Sequence, residues 1–203
     1  MKRVFLPDEK ESIMKNAFRL LCLLGLAISA AAQSPEFKAP QPILVTSCGQ
    51  SPAPTMMKVI LQKAGLTFTI EKTATQAELK SSGAKTLIVT MGASMKGMGA
   101  AGISIDDELS RIGALIAEAR KMKITVIGAH IEGMKRRAQG ADAGDTTDEQ
   151  SIDAVAPLCD ALVVFKEGNT DNRFTVIAKN KKIPMFEVEK TLDLIPVLEK
   201  IFK

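Results

Sequence analysis

Short, continuously apolar runs alternate along this chain with segments of helical periodicity, and this alternation most constrains its fold. The runs are rich in Val, Ile and Leu, and their apolarity is continuous rather than alternating. A strand has this pattern when both of its faces are covered, as in a parallel sheet between two helical layers. The predicted strands are 43–47, 67–71, 86–91, 124–129, 161–165 and 185–188.

Helical patterns fill the intervals between the runs, and the clearest covers 104–122. Ser104 with Asp107 predicts a capping box at its start, and Thr147 with Gln150 predicts another for a later helix. Such β-α repeats with right-handed crossovers predict an α/β fold, a three-layer αβα sandwich around a mostly parallel six-stranded sheet. The predicted helices are 54–64, 75–82, 104–122, 148–158, 171–181 and 194–202.

Two strand orders fit these repeats. We expect the flavodoxin-like order 2-1-3-4-5 with the sixth strand at an edge, and the Rossmann-like order 3-2-1-4-5-6 is the alternative. Both orders place a crevice above the carboxyl end of the first strand, because the chain leaves that strand and its neighbour in opposite directions. A site predicted at this edge therefore does not depend on which order is right.

Residues 1–32 have the pattern of a signal peptide. A basic start precedes an apolar run over 20–28, and three alanines precede Gln33. The run is shorter than the ~20 residues that span a bilayer, so we expect cleavage before Gln33 rather than a membrane anchor. Acidic residues near the N-terminus are unusual ahead of a signal, which makes Met14 an alternative translation start.

Cleavage predicts a periplasmic or extracellular protein, with a polar linker at 33–41 and a single α/β domain at 42–203. Residues 1–32 hold five of the 27 basic and three of the 23 acidic residues, so 22 bases and 20 acids remain, a net charge of +2. This small charge and the lack of Trp and Tyr argue against nucleic-acid binding. No later segment favours stable membrane insertion, and the sequence does not indicate an oligomeric state.

Glycines and polar side chains concentrate in the loops that follow the predicted strands. These loops meet at one edge of a parallel sheet, and glycine lets a backbone approach a ligand closely and direct N–H groups at an anion. The loops therefore predict a site for a small polar or anionic molecule. The predicted ligand-binding residues are Ser47, Cys48, Gly49, Gln50, Gly92, Ser94, Lys96, Gly97, Gly99 and His130.

Lys96, within a glycine-rich loop at 92–102, is the expected contact for a carboxylate or phosphate. The loop has neither the G-x-x-x-x-G-K-[ST] spacing nor a G-x-G-x-x-G that opens directly into a helix, so no nucleotide cofactor is predicted. The alternative interpretation is a packed or flexible glycine loop with a solvated lysine.

Cys48 and His130 are the candidate catalytic residues. A thiol between the first strand and a helix N-terminus lies where a thiolate is stabilised, and His130 is the chain's one histidine and hence its one possible imidazole base. The alternative is a buried, unreactive cysteine with a structural histidine. Cys159 precedes the fifth strand, at the opposite edge of a parallel sheet, so a disulfide with Cys48 is not expected.

A long polar stretch at 131–150 follows the fourth strand, and segments of this kind often form a lid or a binding loop. Its basic run from Lys135 to Arg137 fits either closure over an anionic ligand or a solvated helical turn. Aspartates at every third position from Asp142 to Asp148 lack the spacing of a calcium loop. No metal is predicted.

Four segments together carry a resemblance to a known family. They are GASMKGMGAAGISIDDEL at 92–109, ITVIGAHIEG at 124–133, GDTTDEQSIDAVAPLCDALVV at 144–164 and KEGNTDNRFTVIAKNKKIP at 166–184. The chain resembles an uncharacterised family of exported bacterial proteins, classified as a domain of unknown function, over roughly 42–203. The resemblance implies export and a single Rossmann-like domain, and it assigns no role to any residue.

Three functions are open at this point. The first is an exported, non-enzymatic domain that binds a small ligand through 47–51, 92–102 and the segment after His130. The second is a hydrolase or transferase that uses Cys48 and His130. The third is a structural or interaction protein in which the edge loops serve only as turns.

Overall fold

The computed structural model describes residues 36–137 and 146–203. The predicted signal peptide, and Asp142 and Asp145, lie outside the described residues. Within the described ranges, six strands form one sheet. The strands are β1 Ile43–Cys48, β2 Phe68–Ile70, β3 Thr86–Met91, β4 Thr125–His130, β5 Ala161–Phe165 and β6 Met185–Val188.

The strand order is β2-β1-β3-β4-β5-β6, and neighbouring strands are parallel throughout. This confirms the flavodoxin-like order with the sixth strand at an edge. The Rossmann-like alternative is wrong, because β3 rather than β4 pairs with β1. The register aligns Cys48 with Met91 at the carboxyl ends of β1 and β3.

Helices connect the strands close to the predicted positions. Within the described residues, the α-helices are α1 Ala53–Lys63, α2 Gln76–Ser81, α3 Met95–Ala101, α4 Ile105–Lys121, α5 Thr147–Val155, α6 Arg173–Lys181 and α7 Leu194–Phe202. Ser104 forms the predicted capping box with Asp107 at the start of α4. The capping box predicted at Thr147 is wrong, because the helix begins there with Thr146 as its N-cap, and the Thr146 hydroxyl accepts from the Gln150 side chain instead.

Two apolar layers cover the two faces of the sheet. Leu44 of β1 points into the layer formed with α2, α4, α5 and α6, whereas its neighbours Ile43 and Val45 point into the layer formed with α1 and α7. The strands in the middle are therefore buried on both faces, which explains their continuous apolarity. The described end of the predicted linker packs on the same body, since the Ala39 N–H donates to the Ile201 carbonyl over 2.9 Å.

The prediction that 92–102 forms a glycine loop is wrong. It contains helix α3, which begins after the N-cap Ser94 and ends at Ala101, before the C-cap Gly102, whose φ is 68°. The Ser94 hydroxyl accepts a hydrogen bond from the Gly97 N–H over 3.1 Å and so caps this short helix. The four glycines favoured a loop, and the capping role of Ser94 was not predicted from the sequence.

Among the described residues, no helix combines the length and the apolarity that a membrane-spanning segment requires.

Candidate functional site

The loops after β1 and β3 lie against each other at the carboxyl edge of the sheet, where the strand order reverses direction. The Ser94 N–H donates to the Gly49 carbonyl over 2.7 Å, and Gln50 and Ala93 form an isolated antiparallel bridge. Gly49 has a φ of 107°, and a Cβ there would lie 2.6 Å from the Ala93 Cα. Only glycine therefore allows the two loops to approach this closely.

The backbone N–H groups that were expected to bind an anion donate hydrogen bonds to side chains of the protein itself. The Gly49 N–H donates to Glu108 Oε1 over 2.9 Å. The Gly92 N–H donates to the Ser151 hydroxyl over 3.0 Å, and the Ala93 N–H donates to Asp148 Oδ1 over 2.6 Å. A ligand anion that used these groups would have to displace the protein's own acceptors.

Glu108 is a buried carboxylate on α4 that was not among the predicted site residues. Its Oε1 also accepts from the Gln50 side chain over 2.8 Å, and its Oε2 accepts from Arg111 Nε over 2.9 Å. Arg111 in turn donates to the carbonyls of Ser47 and Ala74. The pair thus joins α4 to the end of β1. The available signal was the spacing of Glu108 from Ile112, which places a charged residue on the buried face of the helix.

Cys48 is fully buried in the apolar layer that includes Met91. Burial raises the pKa of its thiol to about 12. The thiolate is the nucleophilic form, so this environment opposes the role that its position at the end of β1 suggested. Cys159 is also buried, and both are free thiols.

His130 is buried at the end of β4 and bonded by the backbone. Its Nδ1 lies 3.2 Å from the Met91 carbonyl oxygen, its Nε2 lies 3.2 Å from the Gly133 carbonyl oxygen, and its ring stacks on Phe174 at 5.0 Å. Burial lowers the pKa of the imidazole to about 4. This arrangement matches the structural histidine that was the alternative interpretation.

Cys48 and His130 are not neighbours in the sheet. Their strands, β1 and β4, flank β3, and Met91 stands level with Cys48 between them. Both ring nitrogens of His130 face backbone carbonyls, and within the described residues no hydrogen bond joins the ring to the Cys48 thiol. The geometry therefore does not pair the Cys48 thiol with the His130 imidazole as a nucleophile and its base.

The exposed residues of the predicted site lie on α3. Lys96 and Gly99 face solvent, whereas Gly97 packs so closely that a Cβ would lie 2.1 Å from the Gln50 carbonyl oxygen. Gln50 and Ser94 are half-buried. Lys96 thus fits the solvated lysine of the alternative interpretation and is also accessible to a ligand.

Two buried oxygen atoms at the same edge have no hydrogen-bond partner among residues 36–137 and 146–203. They are Ser47 Oγ, near the end of β1, and Glu132 Oε2, which follows β4. The other Glu132 oxygen, Oε1, accepts from Arg136 Nε over 3.3 Å. Sequence reasoning included Ser47 but gave it no specific contact, and it did not include Glu132 among the site residues.

The basic run after β4 is mostly engaged with the protein. Arg137 donates to Glu149 Oε1 over 2.8 Å and to Asp171 Oδ2 over 2.5 Å, with its guanidinium carbon 5.7 Å from the centre of the Phe174 ring. The hydrogen bond from Arg137 lowers the pKa of Asp171 to about 2. Arg136 donates to the Ala93 carbonyl. These two arginines stabilise the edge, and neither fits a cation that closes over a ligand.

No cluster of three or more His, Cys, Asp and Glu side chains suited to a metal ion occurs in residues 36–137 and 146–203.

Comparisons with known proteins give one family and several remote structural likenesses. No curated protein matches the sequence. The psychrotrophic esterase EstA from Pseudoalteromonas sp. is 9% identical with a TM-score of 0.37, covering 73% of this chain and 78% of that one. A GDSL-like lipase from Bacteroides thetaiotaomicron is 12% identical with a TM-score of 0.35, covering 71% of this chain and 66% of that one.

The family match covers most of the sequence. A family model described as a domain of unknown function, DUF6305, matches residues 40–202. The match confirms the resemblance to an uncharacterised family that four sequence segments indicated. The chain therefore belongs to the DUF6305 family.

Proposed function

We propose that this domain is exported and binds a small polar or anionic molecule at the carboxyl edge of its sheet, without carrying out a reaction. The observation that carries this proposal is a pair of buried oxygens, Ser47 Oγ and Glu132 Oε2, to which no group in the described part of the chain donates a hydrogen bond. A buried polar atom without a partner costs about 1–3 kcal/mol. Folded proteins rarely retain such atoms without a functional reason.

The position of these oxygens supports a ligand of metabolite size. They belong to β1 and to the turn after β4, which flank β3 at the same edge of the sheet. The strands are about 10 Å apart, a span that one small molecule can bridge. Both oxygens can accept hydrogen bonds, so the ligand would offer hydroxyl or ammonium donors.

Lys96 supports the anionic part of the proposal. It is exposed on α3, beside the β1 and β3 loops, and its ammonium group can pair with a carboxylate or phosphate of a bound molecule. A hydroxy acid or an amino acid carries both kinds of group. A reaction receives no support from Cys48 and His130, because both are buried and β3 separates them.

Calorimetric titration of the mature protein with amino acids, hydroxy acids and phosphate esters tests the binding. We expect at least one compound to bind, and its affinity to fall about tenfold in Ser47→Ala and in Lys96→Ala. Lys58→Ala is the matched control, because Lys58 is an exposed lysine on α1. No heat with any compound, or equal affinity in all three variants, would contradict the proposal. Co-purification with a fixed protein partner would instead favour an interaction protein.

Export is tested separately. The tripartite pattern in residues 1–32 predicts that the protein accumulates outside the cytoplasm with Gln33 at its N-terminus. Cell fractionation followed by intact-mass measurement checks both points. Recovery of the uncleaved chain in the cytoplasm alone would remove this part of the proposal and leave the binding part standing.

A further inference from the structure

An apolar groove opens at the amino edge of the sheet, opposite the proposed site. It lies between α4, the turn before β5 and the segment that joins α6 to β6, and its volume is about 410 Å³. This volume falls within the range of about 300–1,000 Å³ that is typical of small-molecule clefts. None of its lining residues was among the predicted site residues.

The floor of the groove is apolar and partly exposed. Ile116 and Ala117 of α4 line it together with Leu158, which is 45% exposed. Gly113 adds no side chain, and nothing lies within 4 Å of the position that its Cβ would take. The groove is therefore an open apolar surface that lies outside the buried apolar layers on the two faces of the sheet.

The rim of the groove is basic. Lys181, at the end of α6, is exposed and has no hydrogen bond or ion pair in the described part of the chain. The acidic side chains nearby are already paired: Asp160 binds Arg120 at 2.7 Å, and Glu118 binds Lys80 at 3.1 Å. A lysine in the last turn of a helix interacts favourably with the helix dipole. Lys181 also lies beside an uncovered apolar groove, which the dipole does not explain.

We propose that this groove binds a single-chain amphiphile with an anionic head, of which a free fatty acid is the simplest case. The acyl chain would lie on Ile116, Ala117 and Leu158, and the carboxylate would face Lys181. Nine residues line the groove, whereas a stable protein–protein interface uses roughly 20–30 residues a side. A small ligand therefore fits better than a second copy of the chain.

Decanoate is the probe, and amide chemical shifts of the full domain are the readout. We expect decanoate to shift the amides of Gly113 and Ala117, with those of Gln50 and Gly97 unchanged, which separates this groove from the site at the carboxyl edge. Lys181→Glu should weaken decanoate binding about tenfold or more. Lys63→Glu is the matched control, because it makes the same charge change at an exposed position on α1. Leu158→Asp, also at an exposed position, should abolish binding.

Three outcomes would overturn the proposal. The first is the absence of any shift at Gly113 and Ala117 up to millimolar decanoate. The second is binding of decyltrimethylammonium with the same affinity as decanoate, which would show that the basic rim does not favour an anionic head group. The third is capture by anionic phospholipid vesicles, or dimer formation in sedimentation, without decanoate binding.

Discussion

Ser47 and Ser151 at the carboxyl edge are equally buried, but the hydrogen bonds of their hydroxyl groups differ. Ser151 Oγ donates to the Cys48 carbonyl over 2.6 Å and accepts from the Gly92 N–H, so it joins the ends of β1 and β3. Ser47 Oγ has no hydrogen-bond partner among the residues that the structure describes. A hydrogen-bonded serine in the core stabilises the fold, whereas an unpartnered one is retained at a cost in stability.

Alanine substitutions should therefore change stability in different directions at the two positions. Ser151→Ala leaves the Gly92 N–H and the Cys48 carbonyl without their partner, and we expect a loss of about 2–3 kcal/mol. Ser47→Ala removes only an unpartnered hydroxyl, and we expect no loss or a gain of up to about 1 kcal/mol. Urea denaturation of both variants measures this. A large loss in Ser47→Ala would mean that its hydroxyl has a structural role.

Cys48 gives a second prediction at the residue scale. Its thiol is buried and its pKa is raised to about 12, so the thiolate fraction near pH 8 is very small. In the chain from Gln33 onward, whose cysteines are Cys48 and Cys159, we expect alkylation to require unfolding and to be far slower than that of a free thiol. Iodoacetamide labelling followed by mass spectrometry measures the rate. Labelling of Cys48 in the native protein, at a rate above that of a free thiol, would restore a catalytic role.

At the scale of the elements, strands and long helices could be predicted from periodicity, but α3 could not. Continuous apolar runs identify β1 and β3 because burial on both faces leaves no polar face. The segment Met95–Ala101 contains two glycines and lacks an apolar stripe, so its helical state depends on the Ser94 cap and on contact with Gln50. Tertiary contacts of this kind leave no period in the sequence.

The two glycines within α3 provide a matched test of this explanation. A Cβ at Gly97 would lie 2.1 Å from the Gln50 carbonyl oxygen, whereas nothing lies within 4 Å of a Cβ at Gly99. We expect Gly97→Ala to destabilise the domain by about 1–3 kcal/mol. Gly99→Ala should stabilise it by about 0.5–1 kcal/mol, because alanine favours a helix. Thermal unfolding compares the two, and a shift of the same sign in both would show that contact with Gln50 is unimportant.

At the scale of the whole molecule, the parallel sheet brought the predicted edge residues together, but it did not determine their contacts. Chain order and crossover handedness limit the topology to a few choices, so the edge that carries Gly49, Ser94 and His130 could be predicted. Which groups pair there depends on distant residues such as Glu108 and Ser151. Sequence spacing alone carries no information about these pairings.

His130 links the stability of the whole domain to pH. Burial depresses the pKa of its imidazole to about 4 in the folded state, from an ordinary value of 6.5. Since the unfolded chain takes up the proton first, stability is complete above pH 6.5 and declines as the pH falls toward 4. The loss should approach 1.4 kcal/mol per pH unit and total about 3 kcal/mol. The pKa of Asp171 is lowered from 3.8 to about 2 in the folded state. Protonation of its carboxylate therefore reduces the stability of the domain only at a pH below about 3.8.

Urea denaturation at pH 7.5 and at pH 4.5 measures this loss, and His130→Gln is the variant that isolates it. Since the chain has one histidine, the variant should lose most of the difference between the two pH values, whatever its stability at pH 7.5. The imidazole proton resonances of the folded protein should also stay unchanged from pH 7.5 to 5. A histidine that titrates near pH 6.5 in the folded state would mean that its ring is hydrated, and the stacking on Phe174 would then be wrong.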